Sequence, residues 1–596
     1  MNRGLVIGLV GAAALTGGLL GGFAPSPAEG YGLPPSGTVV DAGLPAMRVL
    51  ALGACAFAVG WLLAAVRAPA GRDGLLSPAG YAGLTEVRRW SLVQAGASLA
   101  VAGLTVAENS GSVTLSTLFV GVRYIEPATG WLLCALVAAG VAGAAGWVLT
   151  WRAAVGLLLV ALGGPLCAAL TATTNAQRSH DIAGDALAAQ TLALVFLLGA
   201  ALAGHRARWC LPVATAGAVV AAAYAVPAGK LLDTGYGQLT LAGLVLLALT
   251  AVTALPRPRH KLTQSLALPA FSLALLCVHT ALTRVAAPAD QGYQASKHVY
   301  LVGYDLPDRM TWADLALRWR PDLVFGSLAV VAAVLYVAGV RRLRRRREPW
   351  PRRYTLAWLS GCAVLLVATS SGVGRYAPGV FSVHMGQHML LAGLAPALLV
   401  LGHGGTLARR ASRPTTADRL RALLDARTVR LAGHPLVAWL AVAGTLFGVY
   451  PTGLFEAWQQ EHWAHLVMNA AFFLTGLALM RVVLGRDASL PPIGRLVMVF
   501  AVMALHAGFA AWLLGLGHPV GEVFYRSLAV PFVPDPLADQ RLGALLSWVL
   551  GEVPVILAVL ALVRRWAVDD ERAPCEQPHV FTLSGTPRAA ELTGRL

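Results

Sequence analysis

Charged side chains are scarce: they make up 13% of the 596 residues, against about 25% in a soluble domain. Lysine is nearly missing, with Lys230, Lys261 and Lys297 alone. The seven cysteines form no CxxC or CxC pair. They lie mostly inside apolar runs, as small buried hydrophobes do. That spacing speaks against a disulfide framework or a thiolate metal centre. No P-loop, carboxylate pair or nucleophile–base set stands out, so the chain reads as something other than an enzyme.

What is abundant is apolar sequence. Hydrophobic residues account for 57% of the chain and mean hydropathy is +0.65. Runs of about 20 apolar residues span a bilayer as helices, and such runs recur over most of the length. The expected fold is all-α: a polytopic integral membrane protein with about sixteen transmembrane helices, from 4–23 near the start to 543–563 near the end. The run 4–23 is long for a signal peptide and reads as an uncleaved span.

The net charge of +17 points to topology rather than to nucleic acid, because of where the arginines sit. They cluster in short connectors such as RRLRRRREPWPRR (341–353) and LARRASRPTTADRLRALLDARTVR (407–430). Cytoplasmic loops carry such an excess. With Arg3 inside, every second connector is basic, which puts both termini in the cytoplasm and the chain in a bacterial plasma membrane. The 341–353 run divides the sequence into a first membrane domain (1–340), this basic cytoplasmic linker, a six-helix membrane domain (354–566) and a polar tail (567–596).

The chemistry gathers in the second part. Eight of fourteen histidines lie between 384 and 518, and six of nine methionines between 385 and 503. In FSVHMGQHML, His384 and His388 are one helical turn apart and share a face, with Met385 and Met389 on the next stripe. In EHWAHLVM, His462 and His465 share a face that Met468 continues. In VMALHAG, Met503 and His506 repeat the pairing. On the inferred topology all three helices present these residues toward the outer side. Imidazole suits several transition metals and thioether selects Cu(I), so copper, with Cu(I) favoured, is the expected ligand. Glu552, a mid-span carboxylate, and Asp539, in the preceding outer segment, are candidates for a supporting or proton-linked role. In the first domain, His180 and His279 are the candidate ligands.

VFSVHMGQHMLLAGLAPALLVLG, EHWAHLVMNAAFFLTG, MALHAGF and LADQRLGALLSWVLGEVP resemble the multi-pass CtaG family, which implies a part in assembling haem–copper cytochrome c oxidases. That family usually has a further histidine where this chain has Ala471. The 185–204 span, DTGYGQL and GYDLPDRMTWADLALRWRPD more distantly resemble the CopD copper-resistance membrane proteins. Together the resemblances imply a fusion that binds copper at the outer face and passes it to an oxidase or across the membrane. Two other readings stay open: a haem-binding electron carrier, and an assembly scaffold whose histidines only rigidify the bundle.

Overall fold

The computed structural model describes residues 8–9, 11–17, 19, 37–67, 74–111, 114–172, 179–204, 207–227, 229–254, 261–283, 285, 296–485 and 490–570. Half of the expected first span, 4–23, falls outside these residues, as does the whole tail beyond 570. Among the described residues the chain is helical; no strand forms, apart from one isolated antiparallel bridge between Leu75 and Thr150. That follows from the solvent: in lipid, backbone polar groups must be satisfied within the segment.

Among the described residues, twelve helices are long and apolar enough to cross a membrane, which makes this a multi-pass membrane protein. In chain order the principal helices are α1 (Thr38–Arg67), α2 (Pro78–Ser110), α3 (Glu126–Ala144), α4 (Trp151–Leu170), α5 (His180–Leu202), α6 (Cys210–Ala225), α7 (Gly235–Ala254), α8 (Lys261–Leu282), α9 (Phe325–Arg345), α10 (Arg352–Ser370), α11 (Phe381–Met389), α12 (Ala395–Leu401), α13 (Pro435–Val449), α14 (His462–Leu484), α15 (Pro492–Gly515) and α16 (Pro536–Asp570). α11 and α12 are two parts of one candidate span, Phe381–Leu401. Three of the expected crossings are shorter apolar helices: Cys210–Ala225, Ala267–Leu282 and Pro435–Val449.

α9 shows why these helices belong in lipid. It buries Phe325, Ala329, Tyr336 and Val340, yet leaves Leu328, Val331, Val334 and Leu335 exposed. A helix that is apolar on its outward face as well needs an apolar solvent. It ends in Arg342, Arg344 and Arg345.

Two large apolar cores form, one from residues between Ala51 and Leu276, the other from residues between Val302 and Ala558. The second core begins upstream of the expected division at 340. Phe325 and Ala329 of α9 belong to it. Two polar contacts pin α9 there: Tyr336 donates to the Gly402 carbonyl (2.7 Å) and Trp358 to that of Ala332 (3.2 Å). The basic connector is short, so α9 and α10 pack as antiparallel neighbours and the linker closes a hairpin between them.

Between α11 and α12 the helix widens into a π turn over Leu390–Leu394. Pro396 follows at once. It has no N–H for the Ala392 carbonyl and its ring crowds that carbonyl in a regular helix, so the ladder opens. Two neighbours press on this turn. A Cβ on Gly476 of α14 would stand 2.0 Å from the Ala392 oxygen, and one on Gly393 would stand 2.4 Å from Pro554 of α16.

Candidate metal-binding site

α11 begins with its first turn held by α16. The Asp539 carboxylate accepts the Ser382 backbone N–H (3.2 Å) and lies close to the Phe381 N–H and the Ser382 hydroxyl. Orphan N–H groups of a first turn need such partners. This gives Asp539 a capping role, 157 positions away in sequence from the turn it caps. Replacing it with alanine is expected to cost about 1 kcal/mol of stability, and replacement with asparagine less. Thermal unfolding in detergent checks this; equal losses from both variants would reject the cap.

The two histidines of α11 are 1% exposed and lie with ring centroids 4.1 Å apart. Both meet one hydroxyl: Tyr450, at the end of α13, is 3.0 Å from His384 Nε2 and 3.1 Å from His388 Nδ1. A phenol has one proton to donate, so one imidazole accepts from Tyr450 while the other donates to it. His388 stacks on Phe472 (3.9 Å) beside the Asn469 side chain. His384 faces His465 with centroids 6.2 Å apart. Its Nδ1 is buried with no hydrogen-bond partner.

The register of α14 follows from its sequence. His465, Asn469, Phe472 and Gly476 recur at spacings of four, three and four, one stripe of a helix. Gly476 meets Ala392, Phe472 and Asn469 meet His388, and His465 meets His384. α11 and α14 therefore run side by side in the same direction, and the close approach at Gly476 sets the imidazole contacts one to three turns above it.

The expected cluster thus divides. His384, His388 and His465 come together. His462 turns to the first half of the chain, its Nε2 3.0 Å from the Asp185 carboxylate on α5. His506 packs against α16, where a Cβ on Gly551 would be 2.8 Å from its Nδ1, and that nitrogen is buried without a partner. Met385, Met389 and Met468 are at most 2% exposed and are part of the apolar core. Both carboxylate oxygens of Glu552 are buried with no hydrogen-bond partner, so it bonds none of these histidines. Among the described residues, no group of three or more His, Cys, Asp or Glu side chains is assembled in coordination geometry. In the first half, His279 bonds the Thr191 hydroxyl (2.8 Å) and its Nδ1 is buried without a partner; His180 is the first residue of α5.

Beside His465 a cavity of about 70 Å³ opens between the two halves. Asp181 and Asp185 reach it from α5, Arg320 and Asp322 from the segment before α9, and His462 and His465 from α14. Arg320 grips Asp181 through two bonds of 2.6 and 2.7 Å and lies 4.0 Å above the Tyr304 ring. Asp322 accepts the N–H groups of Phe325 and Gly326 at the start of α9 (2.5 and 3.3 Å). Burial, and after it the nearby Asp185 carboxylate, push the Asp322 carboxyl up to about 6.

Tyr450, Asn469, Asp185 and Asp322 were not singled out as site residues from the sequence. Asn469 and Asp185 did carry a signal, since each is a polar residue inside an apolar run. Tyr450 did not, because a tyrosine at a span end is ordinary at a membrane interface.

These features define a helical membrane protein with a buried imidazole cluster next to a polar cavity. Residues 334–569 match the family described as cytochrome c oxidase caa3 assembly factor (Caa3_CtaG). Over nearly its whole length the chain is similar to uncharacterized proteins of mycobacteria. It is 32% identical to Mb0105 of Mycobacterium bovis and to MT0111 of Mycobacterium tuberculosis, covering 95% of this chain and 91% of each relative. It is 30% identical to ML1998 of Mycobacterium leprae, over 79% of this chain and 75% of that protein. The chain belongs to one family with these mycobacterial proteins, and it carries a Caa3_CtaG domain. No solved structure matches it.

Proposed function

We propose that this protein binds copper on the outer side of the bacterial plasma membrane and delivers it for cytochrome c oxidase assembly. The match to an oxidase assembly family supports the destination. One observation carries the metal: beside His388, with ring centroids 4.1 Å apart, the buried His384 keeps its Nδ1 without any partner and faces a third imidazole at His465. Buried polar atoms are nearly always satisfied, and an exception among clustered imidazoles fits a ligand. Imidazole is a ligand that suits copper, and three imidazoles gather here. Met385, Met389, Met468 and His506 are at most supporting groups in this reading, and the protein is a metal handler rather than a catalyst.

The topology that goes with this function has sixteen crossings and both termini in the cytoplasm, so that the starts of α11 and α14 face outward. The first half acts as a CopD-like partner that brings copper to the second.

The test is the copper content of purified protein against a His384→Ala, His388→Ala double variant, after reconstitution with Cu(I) under reducing conditions. One bound copper per chain is expected to disappear in the variant. Equal copper in both proteins would sink the assignment, and a Soret band in the wild-type absorption spectrum would favour haem instead.

A further inference from the structure

The cavity between the halves contains more polar chemistry than a seam needs. Asp181 is neutralised by Arg320, and the paired contact alone would hold the halves together. Asp185 and Asp322 add two carboxylates, against Arg375 on the same wall and a histidine, His462, that is charged only when protonated. Gln459 also lines the cavity. It is 1% exposed, and neither its amide oxygen nor its amide nitrogen has a hydrogen-bond partner. An amide buried without partners is costly, and here it borders a space of about 70 Å³, several times what one water needs. The space and the oxygen groups suit a cation that keeps part of its hydration shell.

His465 connects this space to the imidazole pair. It lines the cavity and faces His384 at 6.2 Å. Neither His384 nor His388 borders the cavity, where Gln387 of α11 does instead. An ion bound among the carboxylates therefore has one imidazole between it and the buried pair.

We propose that the cavity is a capture site for the incoming metal cation, built jointly by the two halves. Asp185 and Asp322 draw the partly hydrated ion in, the Gln459 amide oxygen replaces one of its waters, and His465 passes it to His384 and His388. The charge state of the metal is unchanged throughout. This inference rests on the copper reading above, and it explains why the two halves share one chain: the second half holds the destination, and the first supplies a carboxylate of the entrance.

The test uses Ag(I), which resembles Cu(I) without its redox chemistry, on the full-length protein in detergent. Silver uptake is followed by rapid filtration and at equilibrium. The variant compared is Asp185→Asn combined with Asp322→Asn. It should slow association about tenfold at low salt, by loss of electrostatic steering, with the difference shrinking at high salt. Gln459→Glu is expected to speed association, and it decides the matter by itself if the double variant fails to fold. Unchanged rates in the variants that fold would overturn the capture site. That failure is distinguishable from failure of the copper reading, which shows as equilibrium silver that the His384→Ala, His388→Ala variant does not lose.

Discussion

Gly476→Ala is expected to destabilise the protein, although the same exchange in the middle of an exposed helix adds about 1 kcal/mol of stability. The reason is the carbonyl of Ala392. The new Cβ would stand 2.0 Å from that oxygen, and a backbone atom has no rotamer through which to withdraw. Overpacking of a core costs about 1–3 kcal/mol, and here it falls on the π turn that Pro554 holds from the other side. α14 must then move away from α11, which pulls Phe472 off His388 and His465 away from His384. Gly444 supplies the control, since a Cβ there meets nothing within 4 Å, and Gly444→Ala is expected to be neutral or stabilising. Thermal unfolding in detergent, with copper content measured in parallel, checks both variants. If Gly476→Ala matches Gly444→Ala, the close approach does not set the site.

How far the sequence reveals this arrangement depends on the range of each interaction. His384 and His388 are read as one face because four residues make about one turn, a local rule that the structure follows. The same rule groups His462 with His465, and there it stops short. Both line the cavity, but one bonds Asp185 at a separation of 277 residues and the other faces His384. Helical periodicity says which side chains share a face and nothing about which neighbour that face meets. Methionine shows the same limit. Met385 and Met389 sit one position from each histidine, about 100° around the helix, and that rotation takes them into the apolar core. Asp539 reads as a solvated loop acid or a metal partner until α16 is seen to cap α11. The expected boundary at 340 is drawn from charge alone, whereas packing puts α9 with α10. Ala471 lies off the stripe of His465, Asn469 and Phe472. Asn469, on that stripe, is the α14 polar side chain beside His388.

In a strain lacking this protein, cytochrome c oxidase activity is expected to fall steeply and to recover when copper is added to the medium. In the proposed role the imidazole cluster, with His384 and His388 each 1% exposed, would have as its advantage over free diffusion kinetic access to a scarce ion. Excess copper replaces that advantage by mass action. Complementation then separates delivery from scaffolding. The wild-type gene should restore activity at low copper. The His384→Ala, His388→Ala variant, expressed at the same level, should remain near the deletion background at low copper and recover only when copper is added. A scaffold whose histidines rigidify the bundle predicts the opposite: the variant, if folded, restores activity without added metal, because the surfaces that meet the oxidase are intact. Copper tolerance measured in the same strains distinguishes the remaining possibility. Lost tolerance with unchanged oxidase activity would mean that the ion crosses the membrane through this protein instead of leaving it for a partner. The position of the cluster argues against that outcome. His384 and His388 lie in α11, and below them α14 closes on the π turn, where a Cβ on Gly476 would stand 2.0 Å from the Ala392 oxygen, so helix packs on helix beneath the imidazoles.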